Sequence, residues 1–147
     1  MTKRSILQVE DDENDAFLLK ALLQENGVTN AVHLVTDGQM AVDYLTGTGP
    51  FADREKYPLP CMMLMDLKLP KKSGLEVLAW LRQQPALRRI VVIMFTSSAL
   101  PEDISRAYEL GANCFLVKPV EFEKTVELIK LWKNFWLDVN QYPEIQS

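Results

Sequence analysis

The sequence predicts an α/β fold in which helices cover both faces of one parallel sheet, and three observations carry that reading. Five short apolar runs alternate with five stretches of helical periodicity. The runs are bounded by turn residues, as strands buried on both faces are. Gly27, Gly47 and Gly111 stand where a glycine would stop three of the helices.

Strand one is Ile6–Val9, and residues 14–26 follow with the apolar stripe Phe17, Leu18, Ala21 and Leu22. Strand two covers 31–35, after which Thr36-Asp37-Gly38 opens a helix carrying Met40, Ala41, Tyr44 and Leu45. Strand three, 61–65, runs into Asp66. Ser73 and Glu76 form a capping box for helix three, whose stripe includes Leu75, Leu78 and Leu81. Strand four, 90–95, ends in the hydroxyls Thr96, Ser97 and Ser98. Pro101, Glu102 and Asp103 suit the first turn of helix four. Strand five, Cys114–Val117, leads to Lys118-Pro119, and the last helix is expected over 121–137. Segment 48–60 is long for a connection of this kind and reads as a surface insertion. The 147 residues divide into one domain over 1–137 and a polar, loosely ordered tail over 138–147.

A net charge of −4, with no Lys/Arg cluster beyond a pair, argues against a nucleic-acid partner. No apolar run approaches the ~18 residues of a membrane span, and no secretory segment opens the chain, so a cytoplasmic protein is expected. Cys61 and Cys114 each open a strand and read as reduced core thiols. His33, the single histidine, falls within strand two and reads as a strand residue rather than a catalyst.

The chemistry gathers at the strand ends. In one parallel sheet, Glu10, Asp11, Asp66, Thr96 and Lys118 emerge together at the carboxyl edge, where open α/β sheets bind ligands. Three crowded carboxylates call for a cation, and Mg²⁺, a hard ion completed by phosphate and water, is the simplest. A carboxylate such as Asp66 can attack phosphorus to give an aspartyl-phosphate. Glu10 and Asp11 would then hold the metal, Lys118 would meet one phosphoryl oxygen, and Thr96 would donate to another. Singly, each residue has an ordinary reading as helix start, cap or loop charge. Four of them at successive strand ends are much harder to explain as caps.

Four motifs, VEDD at 9–12, MDLKLPKKSG at 65–74, FTSS at 95–98 and GANCFLVKP at 111–119, resemble those of response-regulator receiver domains. That resemblance spans nearly the whole chain. It implies the flavodoxin-like sheet order 2-1-3-4-5 and a histidine kinase as phosphoryl donor. It further implies Asp66 as phosphoacceptor, with Glu10, Asp11, Asp66 and the Lys68 backbone carbonyl as Mg²⁺ ligands. Thr96 and Ser97 follow as phosphoryl and switch hydroxyls, Lys118 as phosphoryl partner and Phe115 as switch aromatic. Glutamate stands at Glu10 where aspartate is common, and Phe115 lacks a tyrosine hydroxyl. The loop ending Pro58-Leu59-Pro60, FTSS and the tail LWKNFWLDVNQYPE resemble, more narrowly, regulators paired with cyanobacterial phytochromes. With no DNA-binding module after Leu137, output is expected through protein contacts. An Asp-nucleophile phosphatase would usually carry a second aspartate two residues after the nucleophile, where Lys68 stands. A phosphorylation-independent docking module would have no need to keep Asp66, Asp11, Thr96 and Lys118 together.

The last helix bears two apolar stripes. Phe122, Val126, Ile129, Trp136 and Leu137 are expected on the sheet. Leu128, Leu131, Trp132 and Phe135 are expected on an outer face, forming a homodimer through helix four, strand five and helix five.

Overall fold

All five expected strands form, and they join one parallel sheet in the order β2-β1-β3-β4-β5. The computed structural model describes residues 4–145; Met1 to Lys3, and Gln146 and Ser147 of the expected tail, lie outside the described residues. The elements are β1 Ile6–Val9, α1 Glu13–Glu25, β2 Val32–Val35, α2 Gly38–Thr46, β3 Met62–Met65, α3 Gly74–Arg82, β4 Val91–Thr96, α4 Pro101–Glu109, β5 Cys114–Val117 and α5 Phe122–Trp132. Among the described residues no helix is long and apolar enough to cross a membrane.

Alternation along the strands divides the core in two. Leu7, Val9, Met63, Met65, Val92 and Met94 face α2, α3 and α4, while Ile6, Met62, Leu64, Val91 and Ile93 face α1 and α5. Chain direction reverses its progress across the sheet between β1 and β3, which opens a crevice at their carboxyl ends. Register sets the depth of that crevice: Val9 lies beside Val35 and Met65, Met65 beside Met94, and Thr96 beside Val117.

Four expectations about the helices change. On α1 the buried stripe is Ala16, Leu19, Leu22 and Leu23, leaving Phe17 76% exposed. Seven of the eight residues in 16–19 and 21–23 plus Lys20 are apolar, so periodicity alone leaves the helix free to rotate by one residue, and packing chose. The last helix does not run unbroken to 137, because Lys133–Leu137 forms a π-helical turn. Trp132, expected on the outer stripe, is only 4% exposed and packs among Ile129, Leu19 and Leu22 in the core cluster. It lies three residues beyond Ile129 and four before Trp136, on the flank of the inner stripe, and the large indole gains most by burial there. Phe122, expected on the sheet, is exposed in the first turn of α5.

The insertion and tail are both packed. Gly49–Phe51 makes a short 3₁₀ turn, and Phe51 and Tyr57 cluster with Tyr44, while His33 adds its ring beside both tyrosines. Arg54 staples the insertion to the end of α2 by donating to the carbonyls of Tyr44 at 2.7 Å and Leu45 at 2.8 Å. The tail turns back beneath the sheet: the Tyr142 hydroxyl donates to the Trp136 carbonyl at 2.6 Å, and Arg4 donates to the Pro143 carbonyl at 3.0 Å. Tyr142 joins the core on the α1 and α5 side and Ile145 joins the other. The amino edge of the sheet offers these two apolar side chains a place out of water, which the polar average of the tail conceals.

Candidate functional site

One extra ladder step beyond the strands fixes the key backbones. The Glu10 N–H donates to Val35, the Asp66 N–H to Val9 at 3.1 Å, and the Lys118 N–H to Thr96 at 2.7 Å. Each functional side chain therefore leaves from a backbone held as firmly as the sheet. Downstream of Asp66, the loop is closed by the Gly74 N–H on the Leu67 carbonyl at 2.8 Å. A Cβ on Gly38 would lie 2.0 Å from the Lys72 carbonyl oxygen, so α2 can press against the same loop only through glycine. Within it Lys71 adopts a left-handed φ of 67° and its ammonium faces Asp37 at 3.7 Å.

Lys118 is the centre of the cluster. Its ammonium donates to Glu10, to Asp66 Oδ2 at 2.9 Å and to Asp15 Oδ2 at 2.9 Å. It also lies 5.7 Å from the Phe95 ring centroid. The other Asp66 oxygen, Oδ1, accepts from the Leu67 N–H at 2.7 Å and more weakly from the Lys68 N–H at 3.4 Å. Thr96 is buried, with the Ser98 N–H 3.5 Å from its hydroxyl. Ser98 in turn donates to Asp103 at 2.6 Å, tying the loop after β4 to the first turn of α4. Ser97 is exposed and Phe115 is half-buried against the α4-side core, so neither joins the ion-pair cluster.

Burial and charge compete differently at each group. Burial raises the Glu10 carboxyl to about 7, although the Lys118 hydrogen bond and charge pull the other way. Burial would also raise Asp66, but the Lys118 hydrogen bond, the Thr96 hydroxyl, the Lys118 charge and the Leu67 N–H hold it below the usual carboxylate range. Burial would lower Lys118, and its three carboxylate partners outweigh that and hold it protonated. Near neutrality the cluster holds an ionised Asp66 beside a Glu10 poised to gain or lose a proton.

One oxygen each from Glu10, Asp11 and Asp66 lies within 4.8 Å of the others, a hard all-oxygen donor set with Asp11 open to solvent. That fits a divalent cation retaining water. Asp15 and Phe95 are the neighbours that sequence reasoning missed. Asp15 is the third residue of α1, and it reaches Lys118 only through the packing of that helix against the end of β5, which no spacing in the sequence signals.

The response regulator receiver domain model matches residues 6–130. Response regulator Rcp1 of Synechocystis sp. is 35% identical over 138 residues, covering 94% of this chain and 92% of that protein. A crystal structure of the Mn²⁺-bound form of Rcp1 superposes with a TM-score of 0.89 at 34% identity, covering 97% of this chain and all of the other. The phosphorylated cyanobacterial phytochrome response regulator RcpA gives a TM-score of 0.90 at 34% identity, with coverage of 97% and 100%. The bacteriophytochrome response regulator RtBRR is 44% identical, with a TM-score of 0.76 and coverage of 97% and 85%. A matched span reaching from the first residue of β1 into α5, over a sheet whose carboxyl edge holds the acidic group, makes this chain a member of the response regulator receiver domain family.

Proposed function

We propose that the chain is a phosphoreceiver, taking a phosphoryl group onto Asp66 from a phosphohistidine of a sensor kinase. The observation that carries this is the ionised Asp66 held 2.9 Å from Lys118 within the oxygen cluster of Glu10 and Asp11. In the transfer, a carboxylate oxygen of Asp66 attacks phosphorus, the P–N bond to the donor imidazole breaks, and its electron pair leaves on the imidazole nitrogen. Lys118 meets the charge on one phosphoryl oxygen and Thr96 donates to another. Glu10, Asp11, Asp66 and the Lys68 carbonyl would hold Mg²⁺, whose charge offsets the repulsion between the phosphoryl group and the carboxylates. Thr96 and Ser97, moving toward the phosphoryl group, would let Phe115 repack and carry the signal to α4.

The likeness to RcpA, a cyanobacterial phytochrome response regulator, and to RtBRR, a bacteriophytochrome response regulator, favours a phytochrome-type kinase as partner. The chain's only catalysis in this reading is on its own phosphoryl group. Output runs through protein contacts, including a homodimer on the α4, β5 and α5 face. There Leu131 is 68% and Phe135 51% exposed, with Leu128 half-buried beside them. Incubation with Mg²⁺ and a small acyl-phosphate should add one acid-stable, base-labile phosphoryl mass to the wild type and none to Asp66→Asn. Labelling that persists in Asp66→Asn removes Asp66 as the acceptor.

A further inference from the structure

We infer that Asp15 is a positioning residue for phosphoryl transfer, anchoring the Lys118 ammonium from the α1 side; this rests on the receiver reading above. An ammonium has three donors. Here they go to the ends of β1 and β3, through Glu10 and Asp66, and to α1, through Asp15. When Asp66 gains its phosphoryl group, Lys118 must turn the Asp66-directed donor to a phosphoryl oxygen. Glu10 and Asp15 are the two contacts that can keep the ammonium in place during that exchange.

Local structure frees Asp15 for this task. It is the third residue of α1, and its own N–H is satisfied by the capping Asp12 at 3.0 Å. A carboxylate at this helix position commonly reaches back to the N–H of the capping residue. In this chain Glu10 takes that N–H, at 3.3 Å, which leaves the Asp15 carboxylate to Lys118. Asp15 stands outside the Glu10, Asp11 and Asp66 oxygen group, so its effect on Lys118 is separable from metal binding.

The test is the time course of acyl-phosphate labelling at saturating Mg²⁺, across donor concentrations, for wild type, Asp15→Ala and Asp15→Asn. Loss of the anchor should lower the maximal rate about tenfold without raising the half-saturating donor concentration. Asp15→Asn, whose amide oxygen still accepts a hydrogen bond, should recover most of the rate. In parallel, an amine-reactive reagent should modify Lys118 faster in Asp15→Ala than in wild type. If Asp15→Ala fails to fold, Asp15→Ser replaces it, because its hydroxyl stops short of the ammonium. An unchanged maximal rate, or a change confined to half-saturation, would overturn the role of Asp15 while the wild type still labels. A wild type that takes no label at Asp66 would overturn the receiver reading and this inference with it.

Discussion

A Cβ placed on Gly74 would sit 2.1 Å from the carbonyl oxygen of Asp66, so the first residue of α3 presses directly on the backbone of the proposed phosphoacceptor. Contact with a backbone atom cannot be relieved by a side-chain rotation. Gly74→Ala should therefore displace the Asp66 loop, costing about 1–3 kcal/mol in urea denaturation and lowering acyl-phosphate labelling in the same protein. Normal stability with normal labelling would show that the contact yields easily.

Asp11 is exposed, and its effect should fall on the metal rather than on the fold. Asp11→Ala is expected to melt within about 0.5 kcal/mol of wild type. Its Mg²⁺-dependent labelling should fall roughly a hundredfold, since the metal contributes several kcal/mol of charge stabilisation. Unfolding of Asp11→Ala would instead make the acidic cluster a structural element.

Glu10 gives the metal-free protein a specific pH dependence. Its folded-state value, about 7, lies above its ordinary 4.5, so between these values the native state holds a proton that the unfolded state has lost. The contribution of the neutral form is fully present below about 4.5 and is lost as the pH rises toward 7. Urea midpoints without Mg²⁺ should thus fall with rising pH across this window more steeply in wild type than in Glu10→Gln. Parallel profiles would place the proton elsewhere.

The two faces of α5 and of the π-helical turn that continues it should respond in opposite ways. Leu131→Glu or Phe135→Glu should convert a dimer to a monomer in light scattering, with Asp66 labelling intact. Trp132→Ala should instead cost about 3–5 kcal/mol, because it removes a buried indole. A wild type that stays monomeric at high concentration, with and without phosphorylation, would exclude the homodimer.

Strand ends were legible in the sequence because a parallel sheet converts position along the chain into position at one edge. Glu10, Asp66 and Lys118 could be placed together on that basis alone, as their ladder bonds bear out. Rotation of a helix about its axis was not legible where apolar residues crowd more than one face. The apolar pattern therefore points Phe17 and Phe122 inward and Trp132 outward, the reverse of their observed burial. Asp15 depends on how α1 lies over the end of β5, a tertiary relation that no local pattern encodes. The packing of Tyr142 and Ile145 likewise depends on an uncovered sheet edge far away in sequence.

Met62, Met63 and Met65 make up most of β3, all buried, with Met94 beside Met65 on β4. Unbranched thioethers have several low-energy shapes where valine or isoleucine would have one. The strand leading to Asp66 therefore owes its position to its neighbours in the sheet more than to stiff side chains. Its core can reshape around a small shift of the strand end without opening a void, giving the molecule a compliant seat beneath its most reactive carboxylate.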